Sequence, residues 1–182
     1  MLVREGICGS LRCLRNDLSA PQNRWKQHFG RIWIKDVYLM KKATIIFGST
    51  TGNTETVADM IAENMADYEV KIVYVTDAKD DSSVQEADLV LYGCSTMGLG
   101  ELQEDFIPYY ESRMTSTLLK GKDVAVFGLG DKENYEEYFC WSADILNKKV
   151  KECGGNLVCE PLKVDGEPDD NADAVAAWAK AL

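Results

Sequence analysis

The sequence predicts an α/β fold, a five-stranded doubly wound parallel sheet. Two observations carry this. Short β-branched apolar runs alternate with segments whose apolar residues recur at helical spacing, and three of those runs end in glycine-containing polar loops. Ala43–Phe47 (ATIIF) is a short apolar run closed by Gly48, the pattern of a buried parallel strand. Val57, Met60, Ile61 and Met65 then recur at helical spacing, and Val70–Val75 (VKIVYV) is the second strand. Asp77–Glu86 is polar and is expected to hold a short helix before the third strand, Leu89–Gly93. Leu102, Phe106, Tyr110 and Met114 step by four along the next helix. Val124–Phe127 is the fourth strand, and Phe139, Ala143, Leu146 and Val150 form one face of the helix after it. Asn156–Leu162 is the fifth strand. Pro161 within it lacks a donor N–H, which assigns it to a sheet edge. Val175, Trp178, Ala179 and Leu182 mark the last helix.

Charge divides the chain. Residues 1–39 carry seven basic and three acidic side chains, a net of +4, which leaves 13 basic and 27 acidic in residues 40–182, a net of −14. The first 39 residues also lack sustained periodicity. Three readings of them stand: a start placed upstream of the native one or appended sequence, a disordered basic arm, or a small docked extension. The predicted domain is residues 40–182. A formal charge of −10 argues against non-specific binding to nucleic acid or anionic lipid and for a basic partner. The six cysteines form no CxxC pair, and the single histidine, His28, leaves almost no material for a histidine metal site or a Ser-His-Asp centre. No apolar run approaches the roughly 20 residues of a membrane span. The expectation is a reduced, cytoplasmic monomer.

In a doubly wound sheet ligands bind beyond the carboxyl ends of the strands. The first exit reads Ser49-Thr50-Thr51-Gly52-Asn53-Thr54 and feeds directly into a helix. Hydroxyls, an amide and the unpaired N–H groups of a helix start can wrap a phosphate. The loop has no Lys or Arg, so it is not GxxxxGK[ST], and the glycine spacing of GxGxxG is missing too. A monophosphate fits it best, against the plainer alternative of a polar turn that only caps a helix. The second exit contains Ser95-Thr96-Met97-Gly98-Leu99, the third Leu129-Gly130-Asp131 followed by Tyr135, Tyr138 and Cys140. Each alone reads as a flexible surface loop. A phosphate loop flanked by two such loops describes a slot for a planar aromatic with a phosphorylated tail.

Residues 41–182 resemble the flavodoxins, small FMN-binding electron carriers. The resemblance rests on Ser-Thr-Thr-Gly-Asn-Thr at 49–54, Gly-Cys-Ser-Thr at 93–96, Glu-Leu-Gln-Glu-Asp-Phe-Ile-Pro at 101–108 and the Gly-Asp…Tyr…Tyr-Phe-Cys run at 130–140. The short segment after the fifth strand is similar to the short-chain branch found in sulfate-reducing bacteria. The resemblance implies a three-layer fold with strand order 2-1-3-4-5. It implies that Ser49, Thr50, Thr51, Gly52, Asn53 and Thr54 hold the FMN phosphate. Ser95, Thr96, Met97, Gly98 and Leu99 would line the inner side and N5 edge of the flavin. Leu129, Gly130, Asp131, Tyr135, Tyr138 and Cys140 would line the other side, with Tyr135 stacked on the outer face. Two departures stand out: Met97 occupies a position where many members have Trp, and Leu99 one where Asp or Asn is frequent. Residues 1–39 have no counterpart in the family.

The implied function is single-electron transfer between redox enzymes, with no catalytic residues and no metal. Glu101, Glu104, Asp105, Asp131, Glu133, Glu136 and Glu137 crowd the predicted site. Negative charge there lowers the second reduction potential of a flavin and steers basic faces of reductases and oxidoreductases, although each acid alone also serves solubility. An FMN-dependent NAD(P)H:quinone oxidoreductase on the same fold is the alternative. A response regulator would need acidic residues after the first strand, and a low-molecular-weight phosphatase Cys and Arg; neither set is present.

Overall fold

The computed structural model describes residues 40–182; the expectations for residues 1–39 lie outside the described residues. Five strands form the frame: β1 (Lys41–Gly48), β2 (Tyr68–Tyr74), β3 (Leu89–Met97), β5 (Asp123–Gly130) and an edge strand in two pieces, β6 (Asn156–Leu157) and β7 (Leu162–Asp165). A short β4 (Glu101–Leu102) pairs antiparallel with the end of β3. The helices are α1 (Asn53–Asn64), α2 (Ser82–Gln85), α3 (Phe106–Ser112), α4 (Ser116–Leu119), α5 (Trp141–Glu152) and α6 (Ala172–Ala179).

The parallel order β2-β1-β3-β5-β6, with β7 also on β5, is the expected 2-1-3-4-5 arrangement, but the sheet has seven strands rather than five. Both additions have local causes. The fifth strand breaks because Pro161 has no N–H to give β5, so pairing lapses after Val158 and resumes at Leu162. β4 forms because the chain turns back at Met97–Gly100, setting Thr96 opposite Leu102 and Met97 opposite Glu101.

Alternation along the central strands divides the core into two layers. Ile46, Val90, Tyr92, Val124 and Val126 face α3, α4 and α5, where Phe106, Leu119, Ala143, Leu146 and Val150 cover them. Ile45, Leu89, Leu91, Ala125 and Phe127 face α1 and α6, covered by Val57, Ala58, Ile61, Val175 and Ala179. Burial on both faces explains why these strands read as continuous apolar runs. The expected helix through Leu102 and Met114 is shorter: Leu102 is buried on β4, Met114 is buried beyond the end of α3, and Tyr109 rather than Tyr110 is buried. Pro108 sits in the first turn of α3, where a missing N–H costs little. No helix among the described residues is long and apolar enough to cross a membrane. The carboxyl ends of β1, β3 and β5 open onto one rim, and the three loops predicted to carry the chemistry lie there.

Candidate functional site

A pocket of about 430 Å³ opens at that rim. The first loop contributes Thr50, Thr51, Asn53 and Thr54, the second Ser95, Thr96, Met97 and Gly98, and the third Leu129, Gly130, Asp131, Tyr135 and Tyr138. Thirteen of the seventeen residues singled out in the sequence therefore share one cavity. Gly166 and Glu167, just past β7, complete its wall. Neither was anticipated. A readable signal existed, since the edge strand beside β5 must end at the same rim and Asp165-Gly166 is a turn dipeptide.

The first loop is shaped from within. The Ser49 hydroxyl accepts the Gly52 N–H at 3.0 Å, and Gly52, at φ 93°, leads into α1, accepting the Thr56 N–H at 3.0 Å. Ser49 and Gly52 thus build the loop without lining the cavity. Thr54, in the first turn of α1, is 0% exposed and its Oγ1 has no hydrogen-bond partner among the described residues. A buried hydroxyl without a partner is costly. Beside the unpaired N–H groups of the helix start it fits an anion. Among the described residues no Lys or Arg lines the pocket, so a phosphate there meets neutral donors and the helix dipole.

The second loop is anchored from α5. Ser142, fully buried, donates its Oγ–H to the Cys94 carbonyl at 2.8 Å and its N–H to Thr96 Oγ1 at 3.2 Å. Its Oγ therefore accepts the proton of the Thr96 hydroxyl, 2.8 Å away. Thr96 consequently has no hydroxyl proton left for a ligand and offers the cavity an acceptor, its methyl and its backbone. The Met97 sulfur lies 4.0 Å from Thr50 Oγ1 and 3.9 Å from Ser95 Oγ, joining the first loop to the second. Met97–Gly100 is a tight turn with Gly100 N–H on the Met97 carbonyl at 3.1 Å. Gly98 takes φ 51° while Leu99 stays at negative φ, the II′ pattern. Gly100 is packed so closely on Trp141 that a Cβ would come within 2.4 Å of its ring. Leu99, 67% exposed, points outside the cavity lining.

In the third loop Asp131 accepts both the side chain and the backbone N–H of Asn134, at 2.6 and 3.0 Å. These bonds, the side-chain one foremost, hold its carboxyl below the usual value. Asp165 Oδ1 accepts the Lys132 N–H at 2.8 Å, tying the loop to β7. Tyr135 is 53% exposed, whereas the Tyr138 ring meets Trp141 edge to face at 5.0 Å. Cys140 is not at the cavity. It is fully buried at φ 53°, its Sγ 3.5 Å from the carbonyls of Gly128 and Val164, and burial pushes its thiol up to about 12. Its place is behind the strand ends, under the loop that carries the tyrosines. Among the described residues no group of His, Cys, Asp and Glu is arranged to hold a metal.

Known proteins share this arrangement of strands and loops. A flavodoxin of Maridesulfovibrio salexigens is 41% identical over 147 residues, 79% of this chain and 97% of that protein. A flavodoxin of Nitratidesulfovibrio vulgaris is 38% identical, covering 77% of this chain and 95% of that protein. The crystal structure of oxidised flavodoxin 1 from Bacillus cereus matches with a TM-score of 0.69 at 34% identity, over 77% of this chain and 95% of that one. The family described as flavodoxin matches residues 45–178, which contain all three loops of the rim; the chain belongs to the flavodoxin family.

Proposed function

We propose that the rim pocket holds FMN, with the phosphate in the 49–54 loop and the flavin between the second and third loops, and that the chain carries single electrons between oxidoreductases. The buried, unpartnered Thr54 hydroxyl carries this reading, because it lies in a donor-rich, cation-free loop that suits one terminal phosphate. FMN supplies the redox chemistry when bound. The protein's part is to hold, orient and shield. The N–H groups at the start of α1 and the hydroxyls of Thr50, Thr51 and Thr54 take the phosphate. Met97 and Tyr135 offer an adaptable thioether and a flat ring to the two flavin faces. Tyr135 is favoured over Tyr138 because the Tyr138 ring is already engaged by Trp141. Gly98 presents its backbone at the flavin edge. Glu167 and Asp131 make a second phosphate unfavourable in the same cavity.

Partners are read from the rim. Leu99 and Trp141, 67% and 42% exposed, give a small apolar centre near the pocket. Exposed Glu101, Glu104, Asp105, Glu133, Glu136 and Glu137 carry the acidic charge in the same loops. Basic faces of reductases and oxidoreductases suit such a surface, with rates of encounter falling as salt rises. The quinone-reductase alternative gains nothing from the family match. A cytoplasmic monomer, with residues 40–182 as the working domain, completes the reading.

Two measurements test it. The chain should bind FMN far more tightly than riboflavin, and the FMN-loaded protein should give almost no turnover when mixed with NADPH and a quinone alone. Equal affinity for the two flavins would remove the phosphate assignment, and rapid quinone reduction would make the protein an enzyme.

A further inference from the structure

Tyr74 ends β2, outside the pocket lining, yet it reaches the phosphate loop. Its ring packs edge-on against Phe47 at 5.4 Å, opposite it in the β1–β2 register. Its hydroxyl lies 3.1 Å from the Ser49 carbonyl and 2.6 Å from Asp105 Oδ2. A phenol has one proton, so the two acceptors share it, the shorter bond to the carboxylate taking the larger part. Asp105 is in turn held by Gln103 Nε2 at 3.1 Å, and buried Gln103 accepts the Phe106 N–H at 3.2 Å. Ser49 is therefore fixed at both ends: its hydroxyl by Gly52 within the loop, its carbonyl by Tyr74 from outside.

We infer that Tyr74, backed by Asp105 and Gln103, is a positioning residue that sets the phosphate loop in its binding shape and so contributes to the preference for a phosphorylated flavin. The inference rests on the phosphate role of the 49–54 loop proposed above. A loop without Lys or Arg has no strong point charge to draw the phosphate in. Its affinity depends on donors already in place before binding. Tyr74 is only half-buried, so water could serve its hydroxyl, and its bonds are not forced by burial. What they accomplish is to tie the first residue of the loop to the segment that follows β4.

The test is Tyr74→Phe in the full-length chain, titrated in cofactor-free form with FMN and with riboflavin and followed by flavin fluorescence. The ring and its packing on Phe47 remain, and only the hydroxyl is lost. FMN should bind roughly threefold to tenfold more weakly, the worth of an ordinary hydrogen bond, while riboflavin affinity stays the same. Unchanged affinity for both flavins would overturn the inference. Equal weakening for both would also overturn it, because a general structural role does not discriminate between them. Should the parent chain itself bind the two flavins equally, the phosphate reading fails first and this inference with it.

Discussion

Thr54→Val separates a ligand-binding hydroxyl from a structural one, because the two roles give opposite signs. Thr54 is 0% exposed in the first turn of α1, and its Oγ1 has no partner among the described residues. Keeping a hydroxyl buried and unpaired costs about 1–3 kcal/mol. Valine has the same branched shape, so it leaves no hole, and its methyl suits the site better than an unsatisfied oxygen. The cofactor-free variant should therefore be more stable than its parent by about 1 kcal/mol, a rise in Tm of roughly 2–4 °C for a domain of this size. With FMN the sign reverses. The lost hydrogen bond to a charged group should weaken FMN by about 1–2 kcal/mol, a factor of roughly five to thirty. The extra stability that added FMN confers should shrink accordingly, since it follows the ratio of free ligand to Kd. Thermal unfolding of the full-length chain at zero and at fixed FMN, with a fluorescence titration alongside, reads both effects. A cofactor-free variant less stable than the parent, or one with unchanged FMN affinity, would refute the assignment of this hydroxyl to the phosphate.

Three other outcomes follow from the same geometry. Tyr135→Ala should lower FMN affinity and alter flavin absorption more than Tyr138→Ala, and the reverse order would assign the outer face to Tyr138. A chain beginning at Met40 should bind FMN and melt within a few degrees of the full chain; a large loss of either would show that residues 1–39 contribute to the domain. With the flavin placed as proposed, the turn at Gly98-Leu99 bears on the first reduction potential. Flipping the peptide between them keeps Gly98 at positive φ and drives Leu99 there too, which costs a residue with a Cβ roughly 1–2 kcal/mol. Leu99→Asn should ease that flip and raise the first potential. A redox titration in which Leu99→Asn leaves the first potential unchanged would show that the flavin is not read by this turn.

The central strands were legible because burial on both faces leaves an unmistakable composition. Ile45-Ile46, Leu89–Tyr92 and Val124–Phe127 are almost wholly buried. Strand ends were not, because pairing rather than apolarity extends them. β3 runs on to Met97, past the predicted end at Gly93, because Ser95 pairs with Leu129 and Thr96 and Met97 pair with β4. The step-of-four pattern from Leu102 to Met114 imitated one helix, yet it spans a short strand, α3 and the turn after it, all packed against the same layer. The pocket was legible where its residues are contiguous in the chain, as in 50–54 and 95–98. Gly166 and Glu167 lie far along the chain from the three loops and reach the rim through the pairing of β7 with β5, so the Asp165-Gly166 turn dipeptide was their one mark in the sequence. The Ser142 clamp on Thr96 was hidden for the same reason, the two residues being 46 positions apart. Cys140 marks the limit of motif matching, since its place in the motif does not reveal that its thiol lies under the loop and not on it.

The central claim is that this rim holds FMN and that the protein moves electrons singly. A stepwise reductive titration of the purified full-length protein, followed by its absorption spectrum, tests both parts at once. Flavin bands whose released chromophore is FMN, bleaching in two separated one-electron steps, are the expected result. A protein that takes up no FMN, or one whose flavin accepts both electrons in a single unresolved step, would contradict the account.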